Sequence, residues 1–99
     1  MTDEKLRQII AKYRAHLGTS VEPAQCLDSI ICPDATVVLC HIRYMLDRMD
    51  VFLDDGRSER AHRWLPFVQA CFWMIGDFSL NDLSEHNRAN ERDILGNGI

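Results

Sequence analysis

The sequence predicts an all-α fold, a small four- to five-helix bundle built on an antiparallel helical hairpin of residues 35–55 and 58–75. Both segments carry apolar residues at intervals of three and four, the spacing that places them on one face of a helix. The connection between them is only about three residues long, which forces neighbouring helices to run antiparallel. In residues 64–75, Gln69 is the only strongly polar side chain. A helix so apolar has to be enclosed by the rest of the chain or by another molecule.

Each half of the hairpin has its own apolar stripe and end signals. Gly56 ends the first helix, and Ser58 is a natural N-cap for the second, which Gly76 ends. Pro66 leaves two alternatives open: it kinks a helix begun at Ser58, or a new helix begins near Trp64 with Pro66 in its first turn. The stripes consist of Val38, Ile42, Met45, Met49 and Phe52 in the first helix and of Ala61, Leu65, Val68, Phe72 and Ile75 in the second.

Ahead of the hairpin, the pattern predicts a helix over residues 3–16. Thr2 is its expected N-cap, and Gly18 its C-terminal stop. Pro23 could then open a short helix, which Pro33 would end because the residue before a proline is pushed out of helical geometry.

The last helix, over about residues 80–90, has the clearest start. Ser79 and Asp82 form the pattern of a capping box, in which each side chain accepts a hydrogen bond from the other residue's backbone N–H. We expect residues 90–99 to form a partly flexible tail, in which Ile94 and Leu95 could dock as a last apolar anchor.

Size and composition predict one helical domain over residues 1–99. The chain is 46% apolar and 26% charged, which is the balance of an ordinary globular protein with a packed core. No signal peptide is evident, so we expect a cytoplasmic protein whose four cysteines are free thiols. No run approaches the roughly 20 apolar residues that a membrane span requires, and we expect no membrane association.

The formal net charge of −4 is distributed unevenly along the chain. The net charges are +2 in residues 1–16, −3 in 17–40, −2 in 41–56, +2 in 57–63 and −3 in 64–99. An acidic total argues against broad affinity for a nucleic-acid backbone, which requires clustered Lys and Arg. Arg57, Arg60 and Arg63 still form a small basic patch. We interpret it first as a solvated helix end, with a local nucleic-acid contact as the alternative.

The cysteines and histidines do not have the spacing of a metal site. The series Cys26-x5-Cys32-x7-Cys40-His41 contains no closely paired cysteines of the kind that bind zinc. Glu59 and His62 match the Glu-x-x-His motif of di-iron bundles, but that site needs two such motifs and two further glutamates. We therefore predict no metal and no other cofactor.

Catalytic signatures are weak as well. Cys71 lies in the apolar segment, where burial raises the pKa of a thiol and makes it unreactive. His86 follows Asp82 by one helical turn, a pairing that is common on surface helices. No glycine-rich phosphate loop is present. The sequence predicts that the protein is not an enzyme.

Gln69 allows two interpretations. A lone amide in an apolar helix must find hydrogen-bond partners, either in a loop backbone inside the core or at a symmetric interface. The first interpretation is favoured. We nonetheless include Gln69 among the candidate interaction residues, which are Arg57, Arg60, Arg63, Trp64, Phe67, Gln69, Met74, His86 and Arg88.

About a third of the chain, roughly residues 56–88, carries a recurring pattern. It runs Gly56-Arg57, Ala61-His62-Arg63-Trp64-Leu65, Phe67-Val68-Gln69, Trp73, Gly76, Leu83 and His86-Asn87-Arg88. This pattern resembles a group of small, mostly uncharacterised helical proteins of tailed bacteriophages and prophages. Members of the group usually have glycine where this chain has Pro66 and Ala70. The resemblance implies a bacterial cytoplasm under phage control, and it implies no specific activity.

Two functional hypotheses follow. The first is a small non-catalytic protein that binds and alters a host protein, such as an inhibitor of host defence (anti-CRISPR-like) or of host machinery. In this hypothesis the second apolar side of residues 64–75 is covered by other helices or by a homodimer. The alternative is a nucleic-acid-associated accessory protein that uses the Arg57, Arg60 and Arg63 patch.

Overall fold

A computed structural model describes residues 1–25, 29–31 and 33–88 of the chain. Within these residues the protein contains four α-helices and no β-strand, which confirms the all-α helical bundle. The helices are α1 (Asp3–Leu17), α2 (Ala35–Asp54), α3 (Ser58–Met74) and α4 (Leu80–Asn87).

The predicted hairpin is formed by α2 and α3. Its turn depends on Gly56, whose φ of +77° lies in the left-handed region that favours glycine. The Arg57 N–H donates to the Phe52 carbonyl across this turn at 2.7 Å. The end of α2 contacts the beginning of α3, because the rings of Phe52 and Trp64 meet edge to face with centroids 4.9 Å apart.

Helix α1 packs against this hairpin and completes a single core. The most enclosed side chains come from all three helices, and each is at most 1% exposed: Leu6, Ile10, Tyr13, Ile42, Leu46, Met49, Ala61, Val68 and Phe72. Every stripe position predicted in α2, and four of the five in the second helix, are buried. The fifth, Ile75, is half-buried and packs against the core.

Ion pairs along one edge hold α1 against α2. Arg7 lies 2.8 Å from Asp54, and Arg14 lies 2.7 Å from Asp47 and 2.9 Å from Asp50. The positive charge of the first segment is thus matched with the negative charge of the α2 segment. The side chains are partly exposed, so each pair contributes little free energy of folding, and their main effect is to favour one orientation of the helices.

Side-chain caps define three of the helix starts. The Thr2 hydroxyl accepts a hydrogen bond from the Lys5 N–H at 3.0 Å, as predicted. The capping box of Ser79 and Asp82 is also confirmed, with both reciprocal hydrogen bonds present. Helix α2 is capped by Asp34, whose carboxylate accepts from the Val37 N–H at 2.9 Å.

The prediction for Ser58 as an N-cap is wrong. Arg57 occupies the cap position without a side-chain hydrogen bond, and Ser58 is the first residue of α3. The Ser58 hydroxyl instead donates to the Asp3 carboxylate at the beginning of α1. His62 contacts the same carboxylate oxygen at 2.8 Å. A carboxylate is a stronger acceptor than a neutral group, and this contact connects α1 to α3.

The structure decides between the two alternatives for Pro66. Helix α3 is continuous from Ser58, and Pro66 lies inside it with its ring on the exposed side. A proline has no N–H, so the His62 carbonyl lacks its usual helical donor.

Other predictions fall partly outside the described residues. The short helix after Pro23 is not found in residues 24–25 and 29–31, where the backbone is not helical. Cys26, Leu27 and Cys32 lie outside the described residues, and so does the predicted tail of residues 90–99.

Replacing Ile10 by alanine should destabilise the protein strongly. Ile10 is 1% exposed in the core, so the change removes buried apolar atoms and leaves a cavity that costs about 2–5 kcal/mol. Urea unfolding followed by circular dichroism measures the loss. Ile31 is 89% exposed, and Ile31→Ala is the matched control, expected to change stability by less than about 0.5 kcal/mol. Equal losses in the two variants would contradict the core described above.

Candidate interaction surface

The N-terminal half of α3 brings arginines and aromatic rings together on the surface. The Arg60 guanidinium carbon lies 4.8 Å from the centroid of the Phe52 ring and 5.9 Å from that of Trp64. At these distances the guanidinium group makes cation–π contacts with both rings. Arg60, Arg63 and Trp64 also line one shallow pocket.

A groove of about 340 Å³ lies beside this cluster, between α2 and α3. Its lining residues are Gln25, His41, Tyr44, Met45, Arg63, Trp64 and Phe67. The lining is mostly apolar and aromatic, with a cationic side chain at the edge, a composition suited to an apolar side chain that has an acidic neighbour. We call the six residues Tyr44, Met45, Arg60, Arg63, Trp64 and Phe67 the arginine–aromatic surface.

The charge of this surface is only weakly neutralised. Arg63 lies 3.6 Å from Glu59 on the same helix, and the two side chains are 72% and 86% exposed. Ion pairs of this kind are worth little and rearrange easily. Arg57 is exposed at the start of α3. The arginines are therefore available to a negatively charged partner.

A second exposed feature runs along the outside of α3. Pro66, Phe67, Ala70, Trp73 and Met74 follow each other at helical spacing, and all five are exposed. Phe67 is 49% exposed, Trp73 46% and Met74 74%. We call these five residues the outer stripe. Neither the other described helices nor the core covers it.

Gln69 lies on the inner side of α3, where it forms hydrogen bonds with two side chains. Its amide N–H groups donate to the Tyr13 hydroxyl at 3.0 Å and to the Asn87 side-chain carbonyl at 2.7 Å. The Asn87 amide donates back to the Gln69 carbonyl at 3.0 Å. Gln69 is thus satisfied inside the protein, as the favoured interpretation predicts, but its partners are side chains and not a loop backbone.

His86 completes this network from α4. Its Nδ1 lies 2.8 Å from the Tyr13 oxygen. Because Tyr13 accepts a hydrogen bond from Gln69, its own proton is free to be donated to Nδ1, which assigns the neutral Nε2–H tautomer to His86. Phe78 packs on the His86 ring at a centroid distance of 4.7 Å. The Asp82 carboxylate accepts from the Ser79 N–H, so it serves the helix cap.

Burial sets the protonation of the groups in and near this network. Burial raises the pKa of the Tyr13 hydroxyl, which therefore stays protonated. Burial is also the main cause that lowers the pKa of His86, the nearby positive charge of Lys12 acts in the same direction, and Asp82 opposes both. Burial raises the pKa of the Cys71 thiol, as the sequence predicts.

The structure separates the sequence-predicted interaction residues into groups. Arg57, Arg60, Arg63, Trp64 and Phe67 lie together around the first turns of α3, and Met74 lies near the other end of the outer stripe. Gln69 and His86 belong to the internal network. Arg88 lies after α4, 3.3 Å from Glu85.

Sequence reasoning missed the residues that other helices contribute. Tyr44 and Met45 from α2 line the groove, and Phe52 supports Arg60. Met45 belongs to the predicted apolar stripe of α2 and Tyr44 lies next to it, which indicates an edge that faces the neighbouring helix. No local signal could have identified Tyr13 and Asn87 as partners of Gln69.

Two other kinds of site are absent from the described part of the chain. No group of three or more His, Cys, Asp or Glu side chains in residues 1–25, 29–31 and 33–88 is arranged to hold a metal ion. Over those same ranges, the helices are too short or too polar to span a membrane.

No protein-family model, curated protein or solved structure matches the chain. The resemblance to phage proteins therefore depends on the sequence pattern alone and stays a prediction.

Replacing Gln69 by leucine should destabilise the protein by about 1–3 kcal/mol, because the buried Tyr13 hydroxyl loses its donor. Chemical unfolding measures the loss. Gln8 lies on the exposed side of α1, so Gln8→Leu is the matched control with an expected change below about 0.5 kcal/mol. A Gln69→Leu variant as stable as the control would contradict the structural role of the network.

Stability should decrease as the pH falls below 6.5, in part because of His86. The unfolded chain takes up a proton at His86 near its ordinary pKa of 6.5, whereas the folded chain takes it up only at lower pH. The contribution is thus fully present above pH 6.5 and is lost as the pH falls through the lowered pKa of the folded state. Urea unfolding at pH values above and below this range measures the dependence.

The His86→Gln variant isolates this contribution, because it retains His16, His41 and His62. We expect its stability to vary less with pH over the same range. An unchanged pH dependence would show that His86 is not the group responsible.

Proposed function

We propose that this chain is a small non-catalytic protein that binds another protein through the arginine–aromatic surface. The observation that carries the proposal is the combination of Arg60 and Arg63 with the Trp64 ring beside an open groove. Trp and Arg are the residues that most often dominate the energy of protein interfaces, because they combine large contact area with directional hydrogen bonds.

The charge of the surface indicates the chemistry of the partner. Residues 57–63 carry a net charge of +2 in a chain of net charge −4. Cation–π contacts with Phe52 and Trp64 restrain the Arg60 side chain, so less side-chain entropy is lost when its guanidinium group binds a carboxylate. The proposed partner is an acidic segment that also carries an apolar side chain for the groove.

The biological setting of the proposal comes from the sequence pattern. The resemblance of residues 56–88 to phage and prophage proteins supports a host protein in a bacterial cytoplasm as the partner. An inhibitor of host defence (anti-CRISPR-like) or of host machinery is a role in which a small protein acts by binding alone. The arginine–aromatic surface belongs largely to the same part of the chain as the pattern.

A nucleic-acid-associated role is the second candidate. A guanidinium group and an aromatic ring side by side can also stack on unpaired bases, and Arg60, Arg63 and Trp64 have this arrangement. The acidic total of the chain favours the protein partner, since the surrounding negative charge repels a phosphate backbone.

The two candidates are separated by capture experiments with a double variant, Arg60→Glu with Trp64→Ala. The immobilised chain is exposed to lysate of a phage-infected bacterium, and retained proteins are identified by mass spectrometry. We expect a specific acidic protein on the wild type and its loss on the variant. With the purified partner, calorimetry should show affinity weakened roughly tenfold or more, because a charge is reversed and an aromatic anchor is removed.

The matched control replaces an arginine and a tryptophan elsewhere, Arg88→Glu with Trp73→Ala. It should retain the partner, and circular dichroism should show both variants folded. A protein retained equally by all three chains would contradict the proposed surface. Retention on a DNA or RNA column that weakens steeply with salt, and is lost in the Arg60→Glu and Trp64→Ala variant, would favour the nucleic-acid role.

A further inference from the structure

Helix α4 depends more on hydrogen bonds than on apolar packing for its position. Of its eight residues only Leu83 is buried, and the core cluster of the described residues consists of side chains from α1, α2 and α3. The last turn of α4 carries the polar contacts. His86 Nδ1 lies 2.8 Å from the Tyr13 oxygen, and Asn87 exchanges two hydrogen bonds with Gln69. A change in these contacts therefore changes how firmly α4 is docked.

The Tyr13 hydroxyl fits only the neutral form of His86. It accepts a hydrogen bond from the Gln69 amide and donates its own proton to His86 Nδ1. In protonated His86 both ring nitrogens carry a proton, so Nδ1 can no longer accept. Two protons would then meet across the 2.8 Å contact, and the buried Tyr13 hydroxyl would lose its acceptor. Protonation of His86 thus opposes the docked arrangement.

The charges that face His86 from α1 and from α4 act in opposite directions. Burial is the first cause that lowers the pKa of His86, and the positive charges of Lys12, His16 and Lys5 on α1 act in the same direction. Asp82 raises it, and this carboxylate lies one turn earlier on α4 itself. When α4 moves away from α1, His86 leaves the positive charges behind and keeps Asp82. Undocking therefore favours the protonated form.

The turn that precedes α4 has contacts that acid does not weaken. Asp77 lies 2.8 Å from His16 Nε2, and the Phe78 ring packs on the His16 ring with centroids 4.6 Å apart. Protonation of His16 makes its contact with Asp77 an ion pair. The other groups in contact with this region, the Gln69 amide of α3 and the Phe78 ring beside His86, are uncharged. Acid thus acts on the last turn of α4, while the turn before the helix stays attached to α1.

We propose that α4 is a pH-dependent latch, which leaves α1 and α3 when His86 takes up a proton while the core of α1, α2 and α3 stays folded. Release exposes the Tyr13 hydroxyl and the Gln69 amide. Docking is at full strength above the ordinary His86 pKa of 6.5 and weakens as the pH falls through the lowered pKa of the docked state. The latch is independent of the arginine–aromatic surface, which lies around the first turns of α3.

Nuclear magnetic resonance of the nitrogen-15-labelled full chain tests the latch between about pH 8 and about pH 5. The backbone amides of α4 and the side-chain amide of Asn87 report docking, and the backbone amides of α1, α2 and α3 report the core. We expect the α4 and Asn87 signals to shift together as the pH falls. Hydrogen exchange, corrected for the intrinsic effect of pH, should show α4 losing protection at least about threefold while the core retains its own.

The His86→Gln variant tests the group that takes up the proton. The glutamine carbonyl can still accept a hydrogen bond from Tyr13 and does not titrate, so α4 should stay docked at both ends of the pH range. Circular dichroism shows that the variant is folded.

The Lys12→Gln variant tests the repulsion from α1 without altering a contact of the network. Lys12 is exposed, and the loss of its charge should make the release of α4 at about pH 5 smaller than in wild type. Arg63 is an exposed cation at the other end of α3, so Arg63→Gln is the matched control and should release α4 like wild type. An equal release in Lys12→Gln and wild type would contradict the charge argument.

Three results would overturn the latch. One is an α4 whose signals and protection are the same at about pH 8 and about pH 5. Another is a core that loses protection to the same extent as α4, since acid then unfolds the protein as a whole. The third is a release that His86→Gln retains, because another group must then take up the proton.

Discussion

The buried Tyr13 hydroxyl is the constraint that connects the elements of this structure. A buried hydroxyl without partners would cost about 1–3 kcal/mol. Here Gln69 of α3 donates a hydrogen bond to it and His86 of α4 accepts one from it, so that α1, α3 and α4 meet at one oxygen. Helix α4 has eight residues, of which only Leu83 is buried. Apolar contacts alone would hold so short a helix weakly, and the network determines where it docks.

The packing of α3 leaves one of its sides open. Its inner side packs against α2 and against Tyr13 of α1, and the hydrogen bonds between Gln69 and Asn87 join it to α4. The strongly apolar segment 64–75 is therefore divided. Its inner side enters the core, and its outer side stays exposed as the outer stripe. Segment 64–75 thus carries more apolar side chains than the core buries, and the remaining ones form one continuous exposed face. Exposed apolar faces of this kind often mark sites of association.

Most of the helices could be predicted from the sequence because their signals are local. Helical spacing, the Thr2 cap and the Ser79–Asp82 capping box each lie within one or two turns of the chain, and each is confirmed. The Ser58 prediction was wrong because α3 begins one residue earlier than expected, with Ser58 inside its first turn, where the hydroxyl donates to an aspartate 55 residues away. The candidate site was found only in part for the same reason: α3 supplies Arg60, Arg63 and Trp64, whereas Tyr44 and Phe52 come from another helix.

The pairing of charges explains how an acidic chain presents a basic surface. Sequence segments 1–16 and 57–63 have the same net charge of +2, yet their arginines have different neighbours in the fold. Arg7 and Arg14 of the first segment are paired with α2 aspartates, so that their charge is used within the fold. Among the described residues, Arg60 contacts aromatic rings and Arg63 lies near an exposed glutamate. The net charge of the whole chain therefore understates the positive charge that the first turns of α3 present at the surface.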